Sequence, residues 1–305
     1  MARRGDSRSP LQKCIISTLL VAVHVVGQEI CDKAKCPGPV TYYQDLNCTP
    51  VYNNSGDCCA REYNCSHLKE LSKDKCYVND NEYDIGEYLR DEDKNPCDIG
   101  CTCMSINNGT ASFSCALVSC FLPGSQYCFY RNNHDDCCPT SYVCSEEERK
   151  NTTCEVDGKT YRDGDYFRPK SDPDTDCYCM PGYTGEIVEP FCRKLKRPYC
   201  SPLFKHAEKV RKNCAPVPYN SRIPLKYCSY GYRCQNANDT VIRKHDDSSI
   251  VFKEEIICQF GDLVLNIGEE LAQGTGIDSI CVKCVCEVPP FLTCKRLSDS
   301  ECGLE

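Results

Sequence analysis

Cys154-Glu155-Val156-Asp157-Gly158-Lys159-Thr160-Tyr161-Arg162-Asp163-Gly164-Asp165-Tyr166-Phe167, followed by Cys177-Tyr178-Cys179, is the stretch whose reading decides the fold. Asp163-Gly164 is a turn dipeptide that tolerates positive φ, and the segments 160–162 and 165–167 beside it read as strands. The same frame occurs three times. Ten residues separate Cys76 from Gly86, Cys154 from Gly164 and Cys258 from Gly268, and a Cys-Xaa-Cys follows each, at Cys101/Cys103, Cys177/Cys179 and Cys284/Cys286. A second pattern, Cys-Xaa3-Tyr-Xaa-Cys, recurs at Cys59-Tyr63-Cys65, Cys138-Tyr142-Cys144 and Cys228-Tyr232-Cys234. With 31 cysteines in 305 residues, these repeats predict a small disulfide-rich, mainly β chain rather than one folded on a large apolar core.

The N-terminus supplies the compartment. Arg3, Arg4, Arg8 and Lys13 precede a short apolar run ending at Val25-Val26-Gly27, which predicts a signal peptide over residues 1–27. The run is too short to span a bilayer. Its removal takes away four basic residues and one acidic residue, so the net charge moves from −8 to −11, with 32 basic against 43 acidic groups. That balance disfavours nucleic acid as a partner. Cys14 leaves with the leader, and the 30 remaining cysteines satisfy the parity that complete pairing requires. A zinc site at Cys281-Xaa2-Cys284-Xaa-Cys286 is the competing reading. An oxidising compartment and the scarcity of histidine favour disulfides, and no metal or cofactor is expected.

Four blocks follow: residues 31–65, 76–144, 154–234 and 258–302 carry six, ten, eight and six cysteines, each an even number. Self-contained pairing within each block is the simplest arrangement. The third block lacks two members of the second: Tyr227 replaces Cys137, and nothing before Cys177 matches Cys97. Since two positions vanish together, and adjacent Cys137 and Cys138 cannot readily bond to one another, Cys97–Cys137 is predicted as a bridge. The first block matches the second part of the repeat and the last block its first part. The expected division is a leader over 1–27, a partial unit over 28–70, units over 74–150 and 151–236, a polar linker over 237–257 and a partial unit over 258–305.

The order Cys76…Tyr83-Xaa2-Gly86-Glu87, Cys97-Xaa3-Cys101-Xaa-Cys103, Cys137-Cys138 resembles the von Willebrand factor type C (VWC) domain, and does so most strongly over 154–192. Three residues after the glycine, where that family places an aromatic residue, stand Leu89, Phe167 and Leu271. The chain has no Trp and resembles a diverged, arthropod-type member. The resemblance implies tandem VWC-like modules, each with a short antiparallel sheet and an irregular disulfide-held half. Modules so small bury little apolar surface, so bridges worth about 2–4 kcal/mol apiece must hold them. Tandem modules of this kind occur in chordin, kielin and crossveinless-type proteins, which bind growth factors of the BMP/TGF-beta superfamily outside cells. The expected function is therefore a secreted modulator of such a factor, with a structural or adhesive matrix component as the alternative. A protease inhibitor is less favoured, since no reactive loop is identifiable in the sequence.

Nothing assembles a catalytic centre: there is no nucleophile elbow, no His-Glu-Xaa2-His and no phosphate-binding glycine loop, so no enzyme is expected. Binding features remain. Sequons fall at Asn47, Asn53, Asn64, Asn108, Asn151 and Asn238; Asn47 and Asn64 adjoin bridging cysteines, leaving Asn108, Asn151, Asn238 and Asn53 as the glycosylation candidates. Arg193, Lys194, Lys196, Arg197, Lys205, Lys209, Arg211 and Lys212 are opposed within their stretch by Glu208. They form either a solvated face or a glycosaminoglycan site for a partner such as heparan sulfate. For a protein ligand, Ile187 and Val188 with Met180 and Tyr183 nearby are the candidate contact residues, rimmed by Glu186 and Glu189, while Phe191 is expected to pack. His134-Asp135-Asp136 reads as polar turn residues. Tyr63, Tyr142 and Tyr232, aligned in the repeat, read as packing residues.

Overall fold

Asn79-Asp80 and Asp157-Gly158 have positive φ at both positions (47° and 63°, 51° and 76°), the conformation of a type I′ hairpin turn. They close Lys75–Val78 on Asn81–Asp84 and Thr153–Val156 on Lys159–Arg162. In the third copy Ile257–Phe260 pairs with Leu263–Asn266. The hairpin turn therefore lies at Asp157-Gly158 and not at Asp163-Gly164. The latter carries the chain out of one sheet and into the next, because Tyr166–Phe167 pairs with Thr175–Tyr178. Three aligned main-chain bonds make that crossing: Gly86, Gly164 and Gly268 each donate N–H, at 2.8 Å, to the carbonyl of Cys103, Cys179 and Cys286. The next residue is acidic in each copy, and its carboxylate accepts a backbone N–H across the turn (Glu87 from Asp84, 2.7 Å; Asp165 from Arg162, 2.8 Å; Glu269 from Asn266, 2.8 Å).

The second sheets are small and antiparallel: Thr102–Ile106 with Thr110–Ser114; Tyr166–Phe167, Thr175–Tyr178 and Cys192–Lys194; and a four-stranded sheet of Val241–Ile242, Glu270–Leu271, Val282–Val285 and Thr293–Arg296. The computed structural model describes residue 31 and residues 35–106, 109–121, 128–172, 175–194, 196, 201–218, 230–243, 256–274 and 279–302. The leader, Asn108, Arg197 and residues 244–255 lie outside that set. Residues 33–305 form one compact unit.

Every cysteine among the described residues is disulfide-bonded. Two bridges define each frame: Cys76–Cys103 with Cys101–Cys115, Cys154–Cys179 with Cys177–Cys192, and Cys258–Cys286 with Cys284–Cys294. Cys97 is bonded to Cys137, with Cα atoms 4.6 Å apart. The bridges among the described residues all stay within the blocks set out above. Leu89, Phe167 and Leu271 are buried beneath them.

The second halves are more regular than expected. Thr49–Val51 pairs with Glu62–Asn64, Phe129–Arg131 with Ser141–Val143, and Ala215–Pro218 with Tyr230–Arg233. Each hairpin is clamped at its mouth by one bridge, Cys48–Cys65, Cys128–Cys144 or Cys214–Cys234, which substitutes for the longer ladder that an unclamped hairpin needs. Of the aligned tyrosines, Tyr63 stacks on Tyr43 at 4.1 Å and Tyr232 packs on Tyr42 and His206. Tyr142 departs from the expectation: it is 55 % exposed.

Each hairpin docks on a frame in another block. The hairpin of the second block covers the turn at Gly164, where Arg131 forks onto the buried Asp163 carboxylate (Nε at 3.1 and 3.0 Å). Ala215 and Val217 join Phe260, Leu265 and Leu292 in the core of the last frame. The short helix Pro202–Lys205 sets Phe204 on Phe113, 4.8 Å apart, in the core of the first. The two half-units at the chain's ends complete one another. The Tyr43 hydroxyl donates to Val288 O at 2.5 Å and accepts from Phe291 N at 2.9 Å, and Tyr63 N donates to Pro289 O at 2.9 Å. The expected linker is also shorter than its bounds: Val241–Ile242 is an edge strand of the last sheet, and Asp239 pairs with Arg233 at 2.7 Å with both side chains buried.

Two consequences can be measured. A methyl group at position 164 would lie 2.7 Å from Tyr130 O, whereas nothing lies within 4 Å of one at position 86, and both glycines have positive φ. Gly86→Ala should cost about 1–2 kcal/mol of left-handed strain, and Gly164→Ala clearly more, read as a larger drop in melting temperature. Half-buried His206, ring to ring with Tyr232 at 5.1 Å, has its pKa lowered by burial and then by Lys205 and Lys209. A folded value below the ordinary 6.5 means that the unfolded chain takes up the proton first. Stability should be full above that value and decline as pH falls through it, levelling off below the folded value. Urea midpoints between pH 7.5 and 5 test this, and His206→Gln should flatten the slope.

Candidate functional site

In the frame of the third block the chain leaves Cys179, turns at Met180, and returns at Cys192. Tyr183 N donates to Met180 O at 3.2 Å, and the Val188 carbonyl accepts from both Phe191 N (3.0 Å) and Cys192 N (2.9 Å). Those bonds fix the loop from beneath. Tyr183 is held edge-on between Phe167 and Phe191, each 5.5 Å away, and so serves the frame's own packing, while Met180 is half-buried. Ile187 and Val188 are left pointing outward, 37 % and 48 % exposed, with exposed Glu186 and Glu189 beside them. The structure thus divides the four candidate contact residues into an exposed pair and a half-buried pair. The sheet beneath is rigid and dry: the Tyr166 hydroxyl donates to Asp176 at 2.5 Å, and its pKa is raised by burial and by that carboxylate. Burial, with Asp176 nearby, pushes the Tyr178 hydroxyl up to about 12.

The cationic stretch does not converge on one surface contact. Arg193 is held by Asp135 (2.5 Å) and Glu189 (2.8 Å), and both hydrogen bonds raise its pKa. Lys196 donates to the Asp91 carbonyl, Arg211 to the carbonyls of Leu71 and Ser72, and Lys212 pairs with Glu208. Lys205 lies over the Phe204 ring, 5.8 Å from its centre. Lys194, Lys205 and Lys209 form no ion pair among the described residues. Lys194 and Lys196 instead line a cavity of about 430 Å³ shared with Lys94, His134, Asp98 and Asp136, where acids offset the cations. His134 Nε2 lies 3.0 Å from Phe191 O, and its ring tilts against Tyr178. These are the contacts of a joint between blocks. Asn53, Asn151 and Asn238 are exposed, as glycan acceptors must be.

No protein-family model matches this chain, and no solved structure matches it. The assignment of the repeat to a family therefore rests on its cysteine order. The fold itself is a small disulfide-rich, mainly β array, and no helix among the described residues is long and apolar enough to cross a membrane.

Sequence reasoning passed over several exposed apolar side chains, chiefly Leu117 (97 %), Phe121 (92 %) and Tyr88 (72 %). Tyr88 could not be read as exposed because its aligned partner, Tyr166, is covered. Leu117 had a signal in the short interval between Cys115 and Cys120, and Phe121 in its place directly after it.

With most of the cations engaged, elution from heparin at or below physiological salt is expected, and Lys194, Lys205 and Lys209 together should account for what retention there is. Retention well above physiological salt, lost when those three are changed to Ala, would restore a sulfate-binding surface.

Proposed function

We propose that this chain is an exported, glycosylated binding protein that modulates a growth factor of the BMP/TGF-beta superfamily through VWC-like modules. The observation that carries the reading is the loop of the third block: Ile187 and Val188 stand exposed on a backbone fixed at both ends, while the loop's aromatic side chains, Tyr183 and Phe191, are packed on the frame. A preformed apolar pair inside an acidic rim is the kind of centre from which a protein interface is built, since little ordering entropy remains to be lost on binding. Complete disulfide pairing of the described cysteines fits an oxidising, extracellular setting. The partner is inferred from the cysteine order, which resembles that of chordin-like proteins.

The purified chain should bind at least one dimeric growth factor of the superfamily at submicromolar concentration by surface plasmon resonance. Ile187→Asp with Val188→Asp should weaken that complex at least about a hundredfold while leaving the disulfide map unchanged. Absence of binding across the panel at micromolar concentration would shift the reading to a structural matrix component.

A further inference from the structure

The segment joining the two halves of the second block, Cys115-Ala116-Leu117-Val118-Ser119-Cys120-Phe121, has a different character from the rest of the molecule. It is pinned at each end: Cys115 to Cys101 in the frame, and Cys120 to Cys138 in the hairpin unit. Ala116 N donates to Ile99 O at 2.9 Å, which fastens the entry. From there to Phe121 the chain contains no turn, bend or left-handed residue. Among the described residues, Leu117, Val118 and Ser119 make no backbone–backbone hydrogen bond. Leu117 is 97 % and Phe121 92 % exposed, more than the other large apolar side chains among the described residues. In an extended chain residues 117, 119 and 121 share one side.

Two exposed apolar side chains on a segment pinned by disulfides at both ends are costly to maintain in water, and among the described residues neither belongs to a core cluster. Endopeptidase clefts accept an extended segment whose backbone adds as a strand and whose alternate side chains enter pockets. A segment pinned at both ends by disulfides loses less entropy on entering than a free peptide, which turns a weak substrate into a tight ligand. We propose that residues 115–121 form an inhibitory loop for a serine endopeptidase with an apolar primary-specificity pocket. Leu117 fills that pocket, Phe121 rests on the rim, and the backbone between them pairs with the cleft. No covalent bond is made or broken in the complex. The chemistry of the pocket follows from the loop. It contains no Lys or Arg, so a pocket with an acidic floor is excluded, and leucine suits the hydrophobic slot of a chymotrypsin-like enzyme. This function is independent of growth-factor binding and uses a different block.

The experiment titrates the purified full-length secreted chain against chymotrypsin, with trypsin as the specificity control, and follows a small chromogenic substrate. Stoichiometric inhibition of chymotrypsin, with trypsin unaffected, is expected. Leu117→Gly should weaken inhibition about a hundredfold, and Leu117→Arg should transfer it to trypsin. Because Leu117 touches solvent and little else, neither change should alter the disulfide map or binding through Ile187 and Val188. Three results would each overturn the proposal: no inhibition at micromolar concentration, rapid multiple-turnover cutting at Leu117–Val118, or an enzyme preference that Leu117→Arg leaves unchanged.

Discussion

Everything in this molecule hangs on the second cysteine of each Cys-Xaa-Cys. Cys103, Cys179 and Cys286 each bridge back to the first hairpin, accept the glycine N–H through their carbonyl, and donate their own N–H to the acidic residue's carbonyl at 2.8–2.9 Å. One residue thus joins two sheets by a covalent bond and two main-chain hydrogen bonds. The bridge limits the unfolded ensemble, and the hydrogen bonds select, among the geometries the bridge permits, the one that buries Leu89, Phe167 or Leu271. Sheets of two to four short strands would not persist without this junction.

Much of that was legible in the sequence, because disulfide frames write themselves as spacing. The interval from cysteine to glycine, the Cys-Xaa-Cys and the paired loss of two cysteines are all local or countable features. What spacing cannot carry is which surfaces meet. Asp163 and Ile85 hold the same place in their frames, yet Asp163 is buried under Arg131 while Ile85 is about half exposed. The difference is made by a hairpin from another block. Tyr142 escaped for the same reason, since its repeat position predicts packing but among the described residues it stays 55 % exposed. In the binding loop the sequence grouped Met180, Tyr183, Ile187 and Val188 by proximity. The edge-on contacts of Tyr183 with two phenylalanines, which remove it from the exposed set, required coordinates.

The two kinds of contact in the chain divide the labour between them. Inside a block the contacts include covalent bonds; between blocks they are rings, ion pairs and single hydrogen bonds, such as Arg131 on Asp163 or Phe204 on Phe113. The pairs Arg131–Asp163 and Arg233–Asp239, whose carboxylates are buried, belong to the docking of hairpins and their tails, where a missing arginine would strand a charge in a dry site. Such pairs favour one register of docking over its neighbours. They fix the joints while leaving the outer loops of each frame free to vary.

The half-unit offset places a mutual handclasp between the first and last blocks, with Tyr43 gripping the backbone of Val288 and Phe291. Pulling those blocks apart would load this clasp before any sulfur–sulfur bond came under tension. The two ends of the chain are thus joined by contacts that can part and re-form with no change in covalent bonding.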